Sequence, residues 1–234
     1  MLFRSRLRLL RAVRFAARFG MRIEPATGAA IARHAGELRG VSRERVGHEI
    51  RRMLAHDSRA QAIAMIERLG LAPTTLLEQG SGHATPLVAA LPAAASTTSA
   101  LCAWMLDRGD ALPWRERVHR WTEAMVLSNH ERDAMLHAMQ VREALLRQWP
   151  SQGVAARKRL AAGAGFEDGL ALVAAEAPAT AERVRADLGP LQASGLAPAP
   201  LIDGHALQAL GLHPGPDFRR ILDAVYDARS EEHT

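Results

Sequence analysis

A chain of 234 residues, 48% hydrophobic and 24% charged, is long enough for one large domain or two or three small helical units. Ala and Leu dominate and aromatic residues make up only 4%, which favours a helical bundle over a β-sandwich. The formal charge of +5, with Lys158 the one lysine, permits contact with an anionic polymer. A single cysteine, Cys102, excludes an intramolecular disulfide and a cysteine-based zinc site, and fits a cytoplasmic setting. No stretch approaches the ~18 apolar residues of a membrane span, and no apolar run of a secretory signal follows the basic N-terminus.

The first predicted helix runs from about Arg4 to Phe19 and stops at Gly20, so the chain is expected to begin inside that helix. At 100° per residue, Arg4, Arg8, Arg11, Arg14 and Arg18 form one stripe, while Leu9, Leu10, Val13, Ala16 and Ala17 lie opposite. No acidic residue precedes Glu24, so nothing within the helix neutralises the stripe. A guanidinium can hold phosphate oxygens or base acceptors in two parallel bonds. The stripe is therefore either a surface for a nucleotide or nucleic-acid backbone, or a solvated face; charge pattern alone leaves both open.

Glu24-Pro25 starts a second helix that continues to about Ala35. Ser42 is the expected N-cap of a third, Arg43 to about Ala55, with Val46, Ile50, Met53 and Leu54 facing inward. Asp57 or Ser58 caps a fourth, in which Ala62, Ile63, Ile66 and Leu69 repeat at helical spacing before Gly70. Glu78 to Thr85 turns to Gly, Ser, His and Thr and reads as a linker or exposed loop. Pro86 to Asp107 is helix-prone with breaks at Pro92 and after Leu106, followed by a helix over Trp114–Val126 and a long one from Glu131 to Trp149. Shorter helices are expected over 154–160, 167–175 and 180–188, then a proline-rich linker over 194–200. Asp203 caps a helix to Leu210, Gly211 ends it, and Gly215-Pro216 opens a last helix carrying Phe218, Ile221, Leu222 and Val225 inward. The expected units are 1–78, 86–193 and 200–234.

Self-sufficient catalysis finds no support in these residues. Ten histidines form no HExxH pair or zinc spacing. Asp107/Asp110 and Glu167/Asp168 lie on helical or loop sequence, where they read as caps and solubilising charge rather than as a two-metal site. No Ser/His/Asp set, Cys/His dyad or phosphate-cradling glycine loop stands out. Trp104, Trp114, Trp121 and Trp149 could stack bases or fill a core. Arg18, Arg51-Arg52 and Arg157-Lys158-Arg159 could touch an RNA backbone or form solvated faces.

Two stretches carry a resemblance. RLLRAVRFAARFGMRIEPAT followed by VSRERVGHEIRRML resembles the neck of bacterial tRNA nucleotidyltransferases and poly(A) polymerases, the CCA-adding enzyme family. SNHERDAML resembles that family's body region, and PLIDGHALQALGLHPGPDFRRILDAVYDA its C-terminal tail. The resemblance implies an all-α neck, body and tail that select CTP or ATP and hold tRNA or another RNA 3′ end. In such enzymes a neck helix templates the base through an EDxxR pattern, in which arginine donates to base acceptors and a carboxylate accepts from the exocyclic amine. Arg8 falls on that arginine, and Arg11 and Arg14 on those that follow. The Glu-Asp pair falls instead on Arg4-Ser5. The family's α/β head, with its GGxVRD-like loop and DxD pair for Mg²⁺, has no counterpart in these 234 residues. The resemblance then implies no cofactor bound by this chain, no nucleotide transfer by it alone, and a separate or missing head as partner. A truncated product, a start placed too late, and a descendant that kept the RNA-binding portion all fit; so does a stand-alone RNA-binding or partner-binding module without enzymatic activity.

Overall fold

The computed structural model describes residues 6–80, 82–109, 112–196, 202–213 and 215–232, and every α-helix and 3-10 turn below lies among them. All regular structure among these residues is helical. The first helix, α1 (Arg8–Arg18), buries Leu10, Val13, Ala16 and Ala17 as the stripe pattern requires. It closes at Gly20, whose φ of +63° lets its N–H reach the Ala17 carbonyl while the Met21 N–H reaches Ala16. Arg4 and Ser5 lie outside the described residues.

α2 (Pro25–His34) begins with the Glu24 carboxylate accepting from the Ala26 and Thr27 N–H groups. A 3-10 turn, Ala35–Gly40, not foreseen from the sequence, links it to α3 (Arg43–Leu54). Ser42 does precede α3, but its side chain makes no capping bond. Then come α4 (Arg59–Arg68), ending at Gly70, and a short unforeseen α5 (Ala72–Leu76). Next are α6 (Pro86–Ala90), α7 (Thr97–Arg108) and α8 (Trp114–Met125).

The long α9 (Asn129–Arg147) opens with a full capping box between Ser128 and Glu131. After a 3-10 turn at Trp149–Ser151 follow α10 (Val154–Ala162), α11 (Phe166–Glu176) and α12 (Pro178–Ala193). The end of the described chain is a hairpin of α13 (Gly204–Ala209), capped by Asp203, and α14 (Pro216–Glu232). Most of the proline-rich linker expected over 194–200 lies outside the described residues.

Two cores hold these helices. The larger gathers Leu10, Val46, Ile50, Ile63, Leu71, Trp104, Trp121, Met135 and Leu172, so it draws on α1 to α9 and on α11. The smaller joins Val141, Leu145, Trp149, Phe166, Val173 and Val184. α9 and α11 contribute to both, and they approach closely because Gly169 has no side chain: a Cβ there would sit 2.5 Å from Val141 Cγ1.

The expected loop at Glu78 is anchored rather than free. Glu78 is buried; its carboxylate accepts from the Trp121 indole N–H at 2.7 Å and pairs with Arg108 at 3.0 Å and Arg117 at 3.4 Å. Glu67 takes the Trp104 indole at 2.8 Å and Arg108 at 2.6 Å. Two buried carboxylates thus meet two buried guanidiniums, a charge balance that makes their removal from water tolerable. Arg43 adds a second clasp, donating to the Ala124, Thr74 and Thr75 carbonyls at the ends of α8 and α5, and burial lowers its pKa.

Candidate nucleic-acid interface

The arginine stripe stands on α1 as a row whose members differ in what holds them. Arg8, Arg11 and Arg18 are exposed and Arg14 is half-buried. Neutralisation comes from another helix: Glu49 of α3, 4% exposed at its side chain, reaches across to α1. Its Oε1 accepts from Arg11 Nε at 3.2 Å, and its Oε2 lies 3.1 Å from Arg14 Nε. The second contact is an ion pair without hydrogen-bond alignment, since Arg14 Nε and Glu49 Oε2 are both buried and lack an aligned partner. Glu49 went unnoticed in the sequence, although it sits three residues after Val46 and four before Met53, hence on the inner face of α3. A carboxylate on a helix's apolar face is the signal that points to a buried partner.

Aromatic rings extend the same surface. Phe15 and Phe19 stack at 6.2 Å between centroids, and Phe19 is 64% exposed. The Arg14 guanidinium lies 4.6 Å from the centre of the Phe15 ring. α1 therefore presents guanidinium groups and flat apolar faces together, the pairing that grips a base by its edge and its face.

The other basic candidates divide. Arg52 is exposed, whereas Arg51 is half-buried, donating to the Met125 carbonyl at 3.3 Å and lying 3.6 Å from Glu131. Lys158 is 1% exposed, so the cluster read from Arg157-Lys158-Arg159 does not present three cations to solvent. Arg157 is turned to Trp149 and Asp187, and Arg159 lies over the Tyr226 ring at 4.6 Å. Local sequence marks charge but not which side of α10 faces inward. The tryptophans are core residues: Trp104 and Trp121 are fully buried, Trp149 nearly so, and Trp114 is half-buried with its indole on Glu143.

One carboxylate of each acidic pair has structural partners. Asp107 accepts from the Leu87 and Val88 N–H groups at the start of α6, and burial raises its pKa. Asp168 accepts from the Ser96 and Ser99 hydroxyls at 2.5 and 2.7 Å. Asp110 lies outside the described residues. Among the described residues no three His, Cys, Asp or Glu side chains converge to hold a metal ion, and no described helix is long and apolar enough to cross a membrane.

Residues 20–79, which carry α2 to α5, match the family described as "Probable RNA and SrmB- binding site of polymerase A". No curated protein sequence matches the chain. Its fold is that of the helical part of solved CCA-adding enzymes. A CCA-adding enzyme in complex with ATP superposes with a TM-score of 0.69 at 17% identity, over 97% of this chain and 56% of that one. The Thermotoga maritima CCA-adding enzyme complexed with tRNA gives 0.63 at 18% identity, over 97% and 57%. A CCA-adding enzyme with CTP gives 0.66 at 17% identity, over 96% and 55%. The chain thus spans just over half the length of these structures.

Proposed function

We propose that this chain is the nucleotide-selecting and tRNA-binding portion of a tRNA nucleotidyltransferase, serving the addition of CCA or A to RNA 3′ ends. The observation that carries the reading is the match of residues 20–79 to an RNA-binding family on the same helices that brace the α1 arginines. Arg8, Arg11 and Arg14 are then the groups that meet CTP or ATP, and Arg18 and Arg52 add positive charge for the RNA backbone. The half-buried Arg51 and Arg157 and the exposed Arg159 contribute less, because each is already engaged with protein groups.

Transfer itself needs carboxylates that hold metal ions beside an α-phosphate. Among the described residues no three His, Cys, Asp or Glu side chains converge, which supports placing the metal ions elsewhere. We therefore assign Mg²⁺ and the transfer step to a head outside these 234 residues, with the chain working in the cytoplasm beside it. Incubation with tRNA, Mg²⁺ and labelled CTP and ATP is expected to leave the tRNA unlabelled; clear incorporation overturns this. A stand-alone RNA-binding module is the second reading, favoured by the fact that the matched family is described by RNA binding and not by nucleotide binding. Salt-dependent tRNA binding that CTP and ATP leave unchanged selects it; activity restored by a separate head selects the first.

A further inference from the structure

We infer that Glu49 is a positioning residue for nucleotide recognition, its buried carboxylate fixing the Arg11 and Arg14 guanidiniums in one arrangement. The inference rests on the reading of α1 as a nucleotide-contacting helix. A guanidinium has two donor edges, one formed by Nε with an Nη and one by the two Nη groups. Glu49 meets both arginines at Nε with one oxygen each, by a hydrogen bond from Arg11 and by charge alone at Arg14. Among the described residues, neither arginine has a hydrogen bond from its Nη groups. The edge that can hold a pair of base acceptors therefore makes no protein hydrogen bond on either; Arg11 keeps 49% of its side chain exposed, and Arg14, against the Phe15 ring, keeps 14%.

The arrangement has a physical advantage. An unrestrained arginine carries about 2 kcal/mol of rotamer entropy, which binding must remove. A carboxylate already seated among Val46, Ile50 and Met53 removes much of that freedom before the ligand arrives. Arg11 and Arg14 lie three residues apart on α1, and one carboxylate holds both, so their spacing is held by charge and the direction of Arg11 by its hydrogen bond. One negative charge against two positive ones leaves the pair net cationic, with Arg8 one turn away, which suits an anionic nucleotide.

The test uses the full 234-residue chain and CTP as probe. Two variants are compared with the parent. Glu49→Gln keeps the size and loses the charge, whereas Glu49→Asp keeps the buried charge on a shorter stem that cannot bridge both arginines. Arginine Nε–H resonances report the positioning directly, titration with CTP reports recognition, and tRNA affinity serves as the reference. In the parent, the Arg11 and Arg14 Nε–H signals are expected to be slow in exchange and to shift on adding CTP. Both variants lose these signals and bind CTP about tenfold more weakly, the scale of one charge-assisted hydrogen bond, while tRNA affinity stays within about twofold. Parent-like CTP affinity in both variants overturns the positioning role and leaves the reading of α1 standing. Parallel loss of CTP and tRNA binding that tracks a lowered melting temperature overturns it in favour of a purely structural ion pair. A parent chain whose α1 signals ignore CTP overturns the reading of α1, and this inference with it.

Discussion

Replacing Arg108 with methionine cuts one of the ties between the first four helices and the rest of the molecule. The Arg108 side chain is 1% exposed and donates to Glu67 at 2.6 Å, to Glu78 at 3.0 Å and to the Gln79 and Gly80 carbonyls at 2.9 and 3.1 Å. Methionine fills similar space and makes none of these bonds. Two buried carboxylates then face the single guanidinium of Arg117, and two carbonyls lose a donor. Removing one partner of a buried ion pair costs about 3–5 kcal/mol, a large share of the roughly 5–15 kcal/mol that holds a domain folded. For a chain of this size the melting temperature should fall by about 10 °C. Urea and thermal unfolding followed by tryptophan fluorescence suit the question, because the Trp104 and Trp121 indoles donate to these same two carboxylates. The double variant Arg108→Met with Glu67→Gln removes one charge of each sign and should recover about 1–2 kcal/mol of the loss. A single variant within about 1 kcal/mol of the parent, or a double variant no better than the sum of its parts, would refute the view that charge balance holds this junction.

Gly47→Ala, a change that favours most helices, should here cost about 2–3 kcal/mol, because the new Cβ would sit 1.9 Å from the Met125 carbonyl oxygen; a chemical denaturation curve unchanged from the parent counts against the close packing of α3 on α8. The Glu24 carboxylate is held below its ordinary value of 4.5 by the Ala26 and Thr27 N–H groups, so the cap it forms on α2 is complete above pH about 4.5 and is lost as pH falls through the lowered value. Amide shifts of Ala26 and Thr27 followed on acidification should show that midpoint, and Glu24→Gln should abolish it. Arg18→Ala and Arg52→Ala should each weaken tRNA binding and flatten its salt dependence by about one unit of slope, whereas Lys158→Ala should leave the slope unchanged and lower stability; a flattened slope for Lys158→Ala contradicts its burial.

Much of this architecture is written in local signals. Apolar spacing marks the inward faces of α1, α3 and α4, and Gly20, Gly70, Pro92 and Ser128 stop or start helices where glycine, proline and a capping serine ordinarily do. The 3-10 turn at Ala35–Gly40 and the five-residue α5 escape notice because neither is long enough to show a period. Long-range pairing is the larger gap. Glu49 meets residues 35 and 38 positions away, and Arg108 meets Glu67 and Glu78 across 41 and 30, separations that no window of periodicity spans. The arginine row was legible as a row. That a buried acid from α3 meets its two middle members was not, because charge patterns read along one helix omit what a packed neighbour supplies.

The buried position of Lys158 has a practical corollary. A lysine-specific protease has one recognition residue in the entire sequence, and that residue is folded against the body with 1% of its surface exposed. Cleavage there must wait until α10 lets go. The chain thus carries its own single-cut reporter of opening, in which the rate at which two fragments emerge measures how often this region unfolds, with no label added.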